Sequence, residues 1–230
     1  MTVSIVQLTH NNLDQVRRCL PTVAALADRD EVVEWIVLDN ASTDGTGPEL
    51  CRLAAGWPKM RVILSQANLG CGGGRNVIWR QAVGDLVLSM DSDVAVLEPA
   101  RLADMIRDLE RPGVGLVGEH GGWVKRDWSW TEEAPAGYVG PVPIVCGFCQ
   151  MFPRAFVDGW TQRTEYGPYW LDDSEFSLQV QEAHDLSGWI ARYGMVHQWS
   201  ATNGKDEQVR RAAWDAFRYR WHGAGLSVHR

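Results

Sequence analysis

No stretch of the 230 residues approaches the roughly 18 apolar residues that a helix needs to cross a bilayer. The N-terminal MTVSIVQLTHNN lacks a basic segment followed by a long apolar run, which predicts no secretory signal. Basic charge is scarce as well. Lys and Arg number 22 against 29 Asp and Glu, a formal charge of −7, whereas a nucleic-acid groove needs a basic face. The same deficit argues against broad adhesion to an anionic membrane. Cysteine is limited to five scattered residues, an odd set that fits reduced thiols and a cytoplasmic setting, with peripheral contact at the inner face of the membrane still allowed. There is no internal repeat, low-complexity tract or dividing linker, so residues 1–230 read as a single domain.

What is present is ordinary globular chemistry: 45% hydrophobic and 22% charged residues, enough chain to bury roughly three quarters of its unfolded surface. The first half alternates strand-like and helix-like segments. Val3–Leu8, Trp35–Leu38, Arg61–Leu64 and Leu86–Met90 read as short buried strands. Between the first two, Leu13, Val16, Leu20, Val23 and Ala27 recur at helical spacing, with Pro21 expected to kink or end that helix. Gly72–Val83 and Arg101–Glu110 read as further helices. Such alternation implies an α/β fold with a mostly parallel central sheet flanked by helices. Ligands bind such sheets outside the carboxyl ends of the strands. The polar clusters Thr9–Asn12, Asp39–Asp44 and Asp91–Asp93 all follow strands, and they are expected to share one crevice.

Beyond Glu110 the period breaks down. Residues 113–170 are rich in Gly, Pro and Trp, which predicts loops with short strands in a smaller region. Five of the twelve tryptophans (Trp123, Trp128, Trp130, Trp160 and Trp170) fall there, able to stack on a ligand face or to pack the loops. Ser174–Leu186 returns to helical composition, Trp189–Tyr193 reads as an edge strand, and Lys205–Trp221 as a final helix.

Three constellations carry chemistry. Asp91-Ser92-Asp93 at a strand end can turn two carboxylates toward one hard cation, the bland alternative being a helix-capping acidic turn. Asp39-Asn-Ala-Ser-Thr-Asp-Gly45 places a carboxylate at the crevice, while Ser42 and Asp44 are expected to cap the following helix. Asn68-Leu-Gly-Cys-Gly-Gly-Gly-Arg75-Asn76 joins close backbone approach to a cation, as phosphate binding requires, although a surface turn has the same composition. It is neither a Walker A loop nor a dinucleotide fingerprint. Cys146-Gly-Phe-Cys149 has no second ligand pair for zinc and reads as buried small hydrophobes.

The ordered series of these motifs resembles the family 2 glycosyltransferases of the GT-A fold. Thr9-His10-Asn11, VLDNASTDGT, NLGCGGGRN, LVLSMDSD, Gly147 in VCGFCQMFPRAF, WLDDSEFSLQV and MVHQWSAT occur in the family's order over nearly the whole chain. The resemblance implies a nucleotide-sugar-binding half over 1–98 and an acceptor-side half with a C-terminal helix over 99–230. It implies Mn²⁺ or Mg²⁺ held by Asp91, Asp93 and His197. Thr9, Asn11, Asp39, Asn68, Gly70, Arg75, Asp91 and Ser92 would bind the donor, a UDP-, GDP- or dTDP-linked sugar, and Arg75 would help neutralise its diphosphate. Gly147, Trp123 and Trp170 would face the acceptor, a glycan, lipid-linked, peptide or small-molecule hydroxyl. Asp173 would be the general base of an inverting displacement, with Asp172 placing the acceptor or acting as base itself. Two departures stand out: Gln179 replaces the arginine that usually continues the acidic element, and the stretch between Gly147 and Asp172 is short. Three other classes remain in view: a sugar nucleotidyltransferase, a retaining GT-A glycosyltransferase and a non-catalytic nucleotide-sugar binding module.

Overall fold

A computed structural model describes residues 1–129, 131–158, 171–198 and 207–230. Trp130, Trp160, Trp170, the WSAT end of the last motif and Lys205 lie outside the described residues.

The chain forms β1 (Val3–Thr9), α1 (Leu13–Ala27), β2 (Val32–Asp39), α2 (Thr46–Ala54), β3 (Met60–Leu64), α3 (Gly70–Trp79) and β4 (Leu86–Asp91). Then follow β5 (Val94–Val96), α4 (Leu102–Leu109), β6 (Val114–Gly118), β7 (Gly121–Val124), β8 (Thr131–Glu133), β9 (Gly140–Val142), β10 (Ile144–Val145) and β11 (Cys149–Pro153). The remaining elements are α5 (Ala155–Asp158), α6 (Asp172–His184), β12 (Ser187–Ile190), β13 (Met195–His197) and α7 (Glu207–Trp221).

An eight-stranded sheet in the order β3-β2-β1-β4-β11-β6-β12-β9 organises the fold. The first four strands are mutually parallel, as the alternation requires. Between β4 and β6 runs β11, antiparallel to both, so its first residue Cys149 faces Met90 near the carboxyl end of β4. Parallel pairing resumes from β6 to β12, and β9 closes the edge antiparallel. Period-two alternation sends Val3, Ile5, Trp35, Val37, Leu88 and Met90 into one buried layer with α1, α2 and α4. Val6, Ile36, Leu38, Val87 and Phe152 enter the opposite layer, under α3, α5 and α6.

Several elements differ from expectation. Helix α1 continues through Pro21 to Ala27. The ring lies on the solvent face, where water can reach the carbonyl it leaves unpaired. Val16, Leu20, Val23 and Leu26 are fully buried on the other face, each contributing roughly 1.5–3 kcal/mol. Together they outweigh the roughly 3 kcal/mol that an interior proline costs. The strand predicted at Trp189–Tyr193 is Ser187–Ile190, and it lies inside the sheet between β6 and β9. No helix follows Asp91–Asp93: the acidic turn leads directly into β5, which removes the capping alternative.

Candidate active site

Parallel register brings the polar strand ends to one edge of the sheet. Thr9 pairs with Asp39 across β1 and β2, and Leu8 pairs with Asp91 across β1 and β4. The antiparallel β11 delivers Gly147 and Phe148 to the same edge, where Phe148 O accepts from Asp91 N at 2.9 Å. A two-stranded ribbon completes the cluster. In it β13 pairs with β5, His197 opposite Val94, and Gln198 N donates to Asp93 O at 2.8 Å. This register puts His197 Nε2 3.2 Å from Asp93 Oδ1. One ligand atom each from Asp91, Asp93 and His197 lie within 4.8 Å of one another. The His197 ring stacks on Phe148 at 4.9 Å with planes 1° apart, which fixes its orientation. Carboxylate oxygens and an imidazole nitrogen that converge in this way make a candidate site for a divalent metal ion.

Arg75 joins this cluster to the acidic start of α6. Its side chain is buried; Nη2 donates to Asp91 Oδ1 at 2.7 Å and to Gly147 O at 3.2 Å, and Nη1 pairs with Asp172 Oδ2. Three of its five N–H donors thus go to carboxylates and a carbonyl of the protein itself. Asp173 is held differently, by Gly147 N donating to Oδ2 at 2.8 Å. Gly147 is constrained sterically as well: a Cβ there would lie 2.9 Å from Asp173 Cβ and 3.0 Å from Arg75 Nη1. Its role is to let the loop pass between these two side chains.

The electrostatics follow from burial. Withdrawal from water, then the negative charge of Asp172, raise the Asp173 carboxyl above the usual range against the pull of Gly147 N–H and Arg75. Burial also raises Asp91, with Arg75 opposing. Burial works against His197 protonation, but the Asp93 hydrogen bond and the Asp93 and Asp91 charges outweigh it and hold its pKa above the ordinary value.

Arg75, Asp91, Gly147, Asp172, Asp173 and His197 line one cavity of about 580 Å³. Glu119, His120, Ala134–Tyr138 and Arg192 line it as well. These were missed in the sequence. Glu119 and His120 follow β6 as Ser92 and Asp93 follow β4, so the strand-end rule could have found them had the strand been recognised. Asn40 directly follows β2. It accepts from Leu69 N at 2.9 Å and donates to Asn68 Oδ1 at 3.0 Å and Gly70 O at 3.1 Å, which locks the turn before α3.

Other residues expected at the site make local hydrogen bonds. Asn68 Oδ1 accepts from Gly70 N at 2.9 Å. Asn11, at φ 47°, accepts from Thr43 N at 2.7 Å. Ser92 Oγ accepts from Asn12 Nδ2 at 3.3 Å. Asp39 accepts from Ser42 N at 3.2 Å and stands against Gly47 of α2. Ser42 and Asp44 reach backwards, accepting from Asn11 N at 2.8 Å and Leu13 N at 3.0 Å; Asp44 thus satisfies the start of α1 and, through Thr46 N at 3.0 Å, that of α2. In the glycine run, Gly74 packs against Leu8, where a Cβ would meet Cδ1 at 2.6 Å. Thr9 Oγ1 is buried with no hydrogen-bond partner among the described residues. Trp123 is buried with its ring at a steep angle to that of Tyr138, 5.4 Å away, and of the two only Tyr138 lines the cavity. Cys146 and Cys149 are thiols that burial holds well above the ordinary range, in keeping with small hydrophobes.

Residues 4–161 match Glycosyl transferase family 2, and the chain belongs to that family. The succinoglycan biosynthesis protein ExoO of Rhizobium meliloti is 35% identical over 115 residues, 50% of this chain and 32% of that protein. An N-acetylglucosaminyltransferase of Bradyrhizobium diazoefficiens is 24% identical over 165 residues, 66% of this chain and 34% of that one. The chain therefore spans about a third of the length of these relatives. Among solved structures, the mannosyltransferase PcManGT of Pyrobaculum calidifontis, in complex with GDP-Man and Mn²⁺, superposes with a TM-score of 0.73 at 23% identity, covering 95% of this chain and 64% of that one. TarS 1-349 of S. aureus with UDP-GlcNAc gives 0.68 at 16% identity, covering 99% and 68%. The fold is GT-A.

Proposed function

We propose that this chain transfers a sugar from a nucleoside-diphosphate donor to an acceptor hydroxyl, with a divalent cation and with inversion at the anomeric carbon. The observation that carries this reading is the single cavity lined by Asp91 and His197 together with Asp172 and Asp173. Had these groups faced opposite sides of the molecule, no one substrate could have met both. Structural neighbours hold GDP-Man with Mn²⁺ and UDP-GlcNAc, which supports this donor class.

Asp91, Asp93 and His197 would hold Mn²⁺ or Mg²⁺, which when bound offsets the negative charge growing on the departing diphosphate. The strand ends carrying Thr9 and Asp39 would meet the nucleoside, beside Asn11, Asn68, Gly70 and Ser92. Of the two adjacent acids, Asp173 is the base. Asp172 is committed to an ion pair with the Arg75 guanidinium, whereas burial and the neighbouring charge raise the Asp173 carboxyl and strengthen it as a proton acceptor. Asp173 takes the acceptor proton, the acceptor oxygen bonds to the anomeric carbon, and the bond from that carbon to the diphosphate oxygen breaks. Asp172 and Arg75 hold the geometry in which Gly147 N–H orients Asp173 Oδ2.

A thermal-shift panel of UDP, GDP and dTDP, with and without Mn²⁺, tests this reading. At least one nucleotide should raise the melting temperature only with the metal; no metal-dependent stabilisation by any of them would sink the donor site.

A further inference from the structure

Glu175 has no place in the chemistry above, yet its side chain is wholly buried, within the first turn of α6 beside Asp172 and Asp173. Its carboxylate reaches the last turn of α7. Oε2 accepts from Trp221 Nε1 at 2.6 Å, and Oε1 pairs with Arg220 Nε at 3.0 Å and accepts from Gln179 Nε2 at 2.7 Å. Arg220 lies over the Trp221 ring at 4.5 Å, so charge, hydrogen bond and packing act together. The same contact cluster holds Leu171, which leads into α6 at φ 61°, a left-handed backbone that a leucine adopts only under tertiary constraint. Leu171 and Leu178 pack with Trp214, Phe217 and Trp221 of α7.

Helical geometry gives these contacts a consequence. Two residues along an α-helix are about 200° apart, so Glu175 and Asp173 project from opposite faces of α6. Gripping Glu175 from behind fixes the rotation of the helix and hence the direction of Asp173 into the cavity. A neutral residue of similar volume would pack against α7 as well but would not set that angle. A buried ion pair is a poor way to gain stability, and its best-attested use is to fix a register.

We infer that α7 is a clamp on the base-bearing helix, with Glu175, Trp221 and Arg220 as positioning residues for Asp173. The inference rests on the reading of Asp173 as the base. Trp221→Phe keeps the packing and removes the N–H donor; Arg220→Gln, at a partly exposed position, removes the charge with less risk to folding. Metal-dependent turnover of the parent protein is measured first, and its absence overturns the enzyme reading. The clamp itself is read by hydrogen exchange of the α6 first-turn amides, which needs no turnover. Both variants should exchange those amides at least tenfold faster. They should also lower kcat about tenfold to a hundredfold, with donor nucleotide affinity within twofold of the parent. Unchanged exchange in both variants, or kcat within twofold of the parent well below the melting temperature, would overturn the clamp. So would a parallel loss of donor affinity, which marks a general structural role.

Discussion

Replacing Arg75 with methionine removes a side chain that joins the Asp91 carboxylate to Asp172, while roughly keeping its volume. Arg75 is 6% exposed and Asp172 11%, so the cost approaches that of breaking a buried ion pair, about 3–5 kcal/mol; Asp91, at 32%, is open enough to water to favour the lower figure. About 3 kcal/mol in a chain of this size lowers the melting temperature by roughly 6–12 °C. The deficit should depend on pH in a set direction. Burial already lifts the Asp91 carboxyl above its ordinary value against the pull of Arg75, and the variant loses that pull. A carboxyl whose folded pKa is raised destabilises the fold while it is ionised, and that penalty fades as pH falls through the raised value toward the unfolded one. Calorimetric melts of parent and variant at pH 8 and pH 5 should therefore show a wider gap at pH 8. A gap that is constant, that widens on acidification, or that stays under about 1 kcal/mol throughout, would refute the electrostatic account of Arg75.

Asp93→Ala should abolish the Mn²⁺ dependence of nucleotide stabilisation, and His197→Ala should weaken it, both read by thermal shift; full metal dependence in either variant removes that residue from the ligand set. Asp173→Asn should bind donor nucleotide normally and lose transfer by at least about a hundredfold, as expected of a general base. Because the Asp173 carboxyl is raised, kcat of the parent should fall on acidification along a limb lying above the ordinary carboxylate range, and a limb at or below that range would contradict its role. Gly147→Ala forces a Cβ to within 3.0 Å of Asp173 and Arg75, so it should cost about 1–3 kcal/mol in urea melts and depress transfer more than donor binding. NMR of fresh product should show an anomeric configuration opposite to the donor's, whereas retention would exclude direct displacement.

Much of the donor half was legible because each strand there is a continuous apolar run that ends in a polar cluster. Strand β4 and Asp91 could be read from LVLSMDSD alone. The second half was less legible for physical reasons. Strands β5 and β13 are three residues each, too short to show a period, yet their pairing is what carries His197 to Asp93. The antiparallel insertion of β11 depends on tertiary pairing, with no local signal to tell it from another parallel strand. Pro21 does not end α1 as propensity would have it, because propensity ignores which face of the helix it occupies. Arg75 was recognised as a cation beside glycines, but its partners lie 16 and 97 residues away, beyond any local pattern. Trp123 and Tyr138 show the same limit, because composition does not decide which ring packs inside and which lines the cavity.

The account stands on a cation site and a base facing one substrate across one cavity. A crystal structure of the Asp173→Asn variant with Mn²⁺ and a bound nucleoside-diphosphate sugar, the metal located by anomalous scattering, measures this directly. The account predicts the metal on Asp91, Asp93 and His197 and on the diphosphate, with residue 173 on the face of the anomeric carbon opposite the leaving oxygen. A metal bound elsewhere, or residue 173 on the same side as the diphosphate, would contradict it.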